Sequence, residues 1–204
     1  MYYAFDKRWL SSTVTVTLVL INIALYLLSW IWGDALHDAG VLDVSLVVED
    51  GEWRRLATAA FLHADFMHLF SNMVLLFYIG GVVERNIGAV SYLALYLISG
   101  ITGNLLTVFH ELSNNERWTS LGASGAVFGV MGAMLVLLLL VRKQLRGRSS
   151  LLYRVGFMIA YSLLTGIRYG GVNNIAHVGG LLTGALICYL VTLGGKPVDV
   201  RALI

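Results

Sequence analysis

The stretch Leu121-Gly122-Ala123-Ser124-Gly125-Ala126-Val127-Phe128-Gly129 opens an apolar run that reaches Val141 without a single charge. A run of that length and composition reads as a helix crossing a lipid bilayer. The serine between glycines near its mouth admits two readings. Small residues let membrane helices approach closely, so Ser124 could be packing material. It could instead be a nucleophile, which requires a base at the same depth on another helix.

The composition around this run sets the compartment. Of 204 residues, 58% are hydrophobic and 13% charged, with a mean hydropathy of +0.77. Soluble domains carry about 25% charge, so the chain reads as an all-α integral membrane protein with the lipid bilayer as its surroundings. Its length suits one bundle occupying 1-204. A net charge of +2 without interleaved aromatics excludes nucleic acid as a partner. Cys188 is the one cysteine and lies in an apolar run, which excludes a disulfide framework.

Six spans follow from the apolar runs: Val14–Trp32, Phe66–Val83, Ala89–Phe109, Leu121–Val141, Leu151–Ile167 and Ile175–Leu193. The fifth is interrupted by Arg154. Backbone in lipid has no water to bond, so these segments must be helical. The first is too long and bulky for a cleavable signal peptide and reads as a retained span. With the amino terminus inside, cytoplasmic segments hold Lys7, Arg8, Arg85, Arg142, Lys143, Arg146, Arg148, Arg154, Lys196 and Arg201. The outer side holds Arg54, Arg55, Arg117 and Arg168. That bias puts both termini in the cytoplasm. The acidic first loop, Gly33 to Asp65, carries Trp53, Leu56, Phe61 and Leu62, and reads as a structured element at the outer interface. No internal repeat supports a transporter of inverted halves.

Topology turns positions into depths. The second, fourth and sixth spans all run inward, so His68, Asn72, Ser124 and His177 fall within about 10 Å of the outer boundary, at a rise of about 1.5 Å per residue. His68 and Asn72, four apart, share a helix face. So do His177, Gly180 and Gly184. Gly125 and Gly129 form a small-xxx-small pair on the fourth span. If the glycine stripes face one another, Ser124 Oγ can reach His177. Asn173, Asn174, Ser71 and Ser120 could wet the mouth of such a site.

No Asp or Glu lies within the six apolar runs away from their ends, and Glu84 sits at a cytoplasmic end. A Ser-His-Asp triad therefore lacks a third member, and what remains is a dyad with His177 as base. Phe128, one turn after Ser124, is placed to stack on His177. A zinc site from His63, His68, His110 and His177 would have no carboxylate or cysteine and no common spacing. No metal and no cofactor is expected.

Taken together, these residues resemble the rhomboid family of intramembrane serine proteases. The resemblance is carried by Trp53-Arg54, by His68-Leu69-Phe70-Ser71-Asn72 and by Glu84-Arg85. It continues through Gly122-Ala123-Ser124-Gly125 and Ala176-His177-Val178-Gly179-Gly180 with Gly184. It implies a rhomboid-like bundle of six transmembrane helices with a structured interfacial first loop, of the minimal bacterial type. The compact length and the lack of an Arg- and Ser-rich transit stretch point to a bacterial inner membrane rather than an organelle. The resemblance further implies an intramembrane serine endopeptidase that cleaves transmembrane or juxtamembrane segments of membrane proteins. Ser124 is then the nucleophile and His177 the general base, with His68, Asn72 and the Ser124 backbone N–H stabilising the oxyanion. Trp53-Arg54 is similar to a motif that shapes the first loop, and Glu84-Arg85 to a contact at the inner end of the second helix. His63 falls where some members carry a histidine and receives no role. Phe128 stands where some bacterial members have tyrosine. The alternative is a catalytically inactive rhomboid-like protein that binds membrane helices.

Overall fold

Long runs of Leu, Val, Ile and Ala leave the backbone to satisfy itself, and the computed structural model is accordingly built of helices. It describes residues 12–144, 150–169, 171–194 and 198–203. Lys7, Arg8, Arg146, Arg148 and Lys196 of the inner basic set lie outside the described residues.

The first long helix, α1, is Thr13–Trp32. Three short helices build the loop after it: α2 (Asp34–Gly40), α3 (Val44–Val48) and α4 (Arg55–Thr58). Next, α5 (Phe66–Leu75) passes through a π-helical turn at Leu76–Gly80 into α6 (Gly81–Ile87). Gly88, at φ +85°, turns the chain sharply into α7 (Ala89–Asn114). Then come α8 (Ser124–Leu140), α9 (Ser150–Tyr169) and α10 (Asn174–Leu193). Among the described residues, five helical units are long and apolar enough to cross a membrane: α1, α5–α6, α7, α9 and α10. The sixth, α8, has 17 residues.

Several helices outrun the apolar segments that announce them. The second unit continues to Ile87 and α7 to Asn114, so Glu84 and Glu111 both lie inside helices, each buried. Helix α8 instead starts late, at Ser124, because Gly122 sits at φ +136°, outside the helical region. Its 17 residues span about 25 Å, less than the hydrocarbon core of about 30 Å. Arg142 and Lys143 follow at its carboxyl end, and Ser124 opens the other.

Helix α8 is the centre of the bundle, with Ala126, Met131, Ala133, Leu137 and Leu138 wholly buried. The packing of α8 on α10 is a backbone contact. A Cβ on Gly180 would overlap the Gly125 carbonyl, and one on Gly184 the Gly129 carbonyl. Helix α7 closes in as well, since a Cβ on Gly103 would lie 2.6 Å from Ala176 O.

The first loop is ordered by its own small core and by a strand. Leu42, Val44, Val47, Leu56 and Ala59 pack with Val108 of α7. Strand β1 (Leu42–Asp43) pairs antiparallel with β2 (Thr119–Ser120), in the segment that leads to Ser124. Arg55 is buried and donates from Nη1 to Asp38 O (2.8 Å) and Val41 O (2.9 Å). Its neighbour Arg54 bonds Ala39 O and pairs with Glu52, while Trp53 is largely exposed.

At the other end of the bundle, Glu84 caps α1. Its carboxyl oxygens accept from Val14 N (3.0 Å), Thr15 N (2.8 Å) and Thr15 Oγ1 (2.7 Å). These are first-turn N–H groups with no carbonyl of their own to bond. Arg85 Nη1 donates to Ser12 Oγ (2.9 Å), which donates to Gly81 O. Glu84→Ala would strand those donors, and we expect stability in detergent to fall by about 3 kcal/mol. Glu84→Gln, which keeps an acceptor, should lose less. Thermal unfolding followed by circular dichroism measures both; an unchanged midpoint for Glu84→Ala would rule out the clamp.

Candidate active site

The close glycine contact delivers the two residues that matter most. Ser124 is the first residue of α8 and His177 lies in the first turn of α10. His177 Nε2 stands 2.8 Å from Ser124 Oγ. Phe128, one turn below Ser124 on α8, lies flat against the imidazole, with ring centroids 4.1 Å apart and planes inclined by 7°. That stack fixes the ring plane and excludes water from one face. His177 Nδ1 is buried and has no hydrogen-bond partner among the described residues. Glu111, the buried acid of α7, is engaged elsewhere, accepting from Trp118 N (3.1 Å). Among the described residues, the contacts that orient the His177 ring are Ser124 Oγ and the Phe128 face.

His68 enters from α5. Asp65 caps that helix by accepting from His68 N (2.8 Å), and so sets where the ring begins. The imidazole then comes up beside Gly122: a Cβ there would lie 2.7 Å from His68 Cε1 and Nε2, and 3.6 Å from Ser124 Oγ. Gly122 is thus required twice, by its φ and by this contact. Asn72 is buried one turn further along α5, and its Nδ2 has no partner among the described residues. A buried amide donor left open is costly unless a ligand or water uses it. The first N–H groups of α8, Ser124's own among them, likewise have no carbonyl one turn earlier to bond.

The polar residues around the mouth have structural roles. Asn173 caps α10 by accepting from Ala176 N (3.0 Å), and its Nδ2 donates to Thr107 Oγ1 (2.9 Å) and Ser120 Oγ (3.2 Å). One side chain thus ties α10, α7 and β2 together beside the dyad. Asn174 Nδ2 donates to Leu163 O of α9 (3.0 Å), and Ser71 Oγ to His68 O (3.1 Å). A cavity of about 330 Å³, lined by Trp118, Thr119, Ser120, Gly171, Val172 and Asn173, opens between the segments leading into α8 and α10. A roomier one, about 500 Å³, lies between α1, α7 and the first loop; Arg54 lines it, but Ser124, His177, His68 and Asn72 do not. Among the described residues no three His, Cys, Asp or Glu side chains gather to hold a metal. His110 sits apart near the carboxyl end of α7, against Asn114 and Trp118.

Arg54, Glu84 and Arg85 make the scaffold contacts described above, while Trp53 is largely exposed. The buried loop anchor is Arg55, which the sequence offered only as the second half of an arginine pair. Its neighbours gave no hint of which guanidinium would turn inward.

A family profile described as the rhomboid domain matches residues 50–193. The chain is 34% identical over 202 residues to rhomboid protease AarA of Providencia stuartii, covering 85% of this chain and 70% of that protein. It is 40% identical over 155 residues to RHOMBOID-like protein 1 of Arabidopsis thaliana, covering 76% of this chain but 39% of that one. With the putative rhomboid protease YdcA of Bacillus subtilis it shares 35% identity over 150 residues, 74% of this chain and 73% of the relative. The chain thus spans over two thirds of these bacterial relatives and well under half of the plant one.

Two substitutions test the geometry. Gly122→Ala should push the His68 ring from Ser124 and lower turnover about 100-fold, the cost of a misplacement of about 1 Å. Phe128→Ala should lower turnover less, with the same KM, because it frees the His177 ring without touching the reacting atoms. Cleavage rates for a single-pass substrate in liposomes would measure both; a Gly122→Ala variant as fast as wild type would refute the contact.

Proposed function

The chain belongs to the rhomboid family of intramembrane serine proteases, and from that premise we propose that Ser124 and His177 hydrolyse peptide bonds within or beside the transmembrane helices of other membrane proteins. The observation that carries this assignment is the 2.8 Å approach of His177 Nε2 to Ser124 Oγ. The Phe128 stack and the open donors around it support it.

Ser124 Oγ attacks the scissile carbonyl carbon while its proton passes to neutral His177 Nε2. The carbonyl oxygen becomes an oxyanion, met by His68, by Asn72 Nδ2 and by the Ser124 N–H at the positive end of the α8 dipole. Collapse breaks the C–N bond, and His177 returns the proton to the leaving amine. Water, deprotonated by the same histidine, then releases the acyl group. The site must therefore reach water, and the short α8, open at the Ser124 end, supplies a recess for it. A helical substrate hides its carbonyls in its own hydrogen bonds, so the chain favours segments with small or helix-breaking residues near the cut.

We place both termini in the cytoplasm and the site toward the outer face of a bacterial inner membrane. The support is the distribution of Lys and Arg, ten on the inner side against four outside. The alternative of a helix-binding protein without activity finds no support in a site that keeps both members of the dyad.

Ser124→Ala and His177→Ala should each reduce cleavage of a single-pass substrate by about 1,000-fold or more. Asn72→Ala should cost about 100-fold in kcat, the usual loss for one oxyanion donor. A fluorophosphonate should label the wild type, fail with Ser124→Ala and label His177→Ala weakly. Wild-type cleavage by both dyad variants would overturn the assignment.

A further inference from the structure

His63 lies in the short turn between the end of the first loop and α5. Its side chain is 1% exposed, yet neither ring nitrogen has a hydrogen-bond partner among the described residues. The Phe61 carbonyl lies near the ring, outside hydrogen-bonding geometry. The ring edge meets the His68 imidazole, with centroids 5.1 Å apart and planes at 71°. Burial, and then the neighbouring His68, push His63 down to about 3, so at neutral pH it holds one N–H and one bare nitrogen. A buried donor and acceptor side by side are satisfied by protein or by an internal water. Here the protein supplies neither.

We propose that His63 is a positioning residue for His68: it binds an internal water that bridges the two imidazoles and holds His68 in the tautomer and orientation that aim its Nε2–H beside Ser124. The inference rests on the reading of His68 as an oxyanion donor. Its logic is that of the partners which fix the ring of a metal-bound histidine, where the remote nitrogen's hydrogen bond sets the tautomer of the working one. Three contacts then define the His68 ring. Asp65 holds its backbone N–H, Gly122 bounds the edge near Ser124, and His63 bounds another side through the water. A free imidazole at this point would spend part of its time flipped or in the wrong tautomer, and turnover would fall with that fraction. Substrate binding would be untouched, because His63 is buried away from any substrate.

The test is a mutant cycle on the reconstituted full chain with a single-pass substrate. His63→Phe keeps a flat ring against His68 and removes both nitrogens; His63→Gln keeps a donor and an acceptor. We expect His63→Phe to lower kcat about tenfold, within the 10- to 100-fold typical of such partners, with KM within about twofold and the unfolding midpoint not lowered. His63→Gln should recover most of that loss. In a His68→Ala background, His63→Phe should cost nothing further, because there is no ring left to position. If His68→Ala alone leaves kcat intact, the oxyanion reading of His68 fails. If His68→Ala is costly but His63→Phe adds its full factor on top, His63 does not act through His68 and the proposal is overturned. Equal loss in His63→Phe and His63→Gln, tracking a lowered midpoint, likewise overturns it in favour of a packing role. Should His63→Phe not fold, His63→Leu takes its place in the cycle with the same expected and overturning outcomes.

Discussion

The contact on which this molecule depends is between two backbones. Gly125 and Gly129 of α8 meet Gly180 and Gly184 of α10 so closely that a methyl group on either residue of α10 would overlap a carbonyl of α8. Membrane helices gain little by burying apolar surface from lipid, so they associate through van der Waals packing where small residues permit it. Here that packing also has a chemical consequence. It draws the amino-terminal ends of the two helices close enough for one hydrogen bond between serine and histidine. A bulkier stripe would leave the fold recognisable and the dyad apart.

Depth is the second constraint. A helix of 17 residues is shorter than the hydrocarbon core is thick, and Ser124 is its first residue. The chain leading to it is irregular backbone. Such backbone is tolerated only where protein or water satisfies it. The β1–β2 pairing, the Gly122 N–H on Ala59 O (2.9 Å) and the bonds of Asn173 do that work here. The first loop is therefore joined to the segment that leads to Ser124, and the buried Arg55 ties that loop together.

Much of this was legible in the residues. The apolar runs announced the helices, and assigning a direction to each suggested that Ser124, His177, His68 and Asn72 share one level. The structure brings Ser124 to His177, and His68 beside Gly122, near Ser124. The glycine spacings on two separate runs then suggested which faces meet. Less legible were the ends of elements. Glu84 and Glu111 lie in helices that outrun their hydrophobic cores, Glu84 with three donors on its carboxyl group and Glu111 accepting from Trp118 N. Gly122 was readable as part of a motif, but its φ and its contact with His68 were not.

Sequence alone determined that this is a helical membrane protein, which residues are out of place in lipid, and that no carboxylate of the six runs could complete a triad. These follow from local composition and from the fixed rise of a helix, and need no knowledge of partners. The tertiary structure decided what each exception is for. Glu84 caps a helix almost seventy residues away, Asn173 joins three elements, and Arg55 rather than Arg54 turns inward. His63 meets His68 with neither nitrogen bonded among the described residues. Each of these depends on which groups are left without a partner once the helices have packed, and that is a property of the assembled chain.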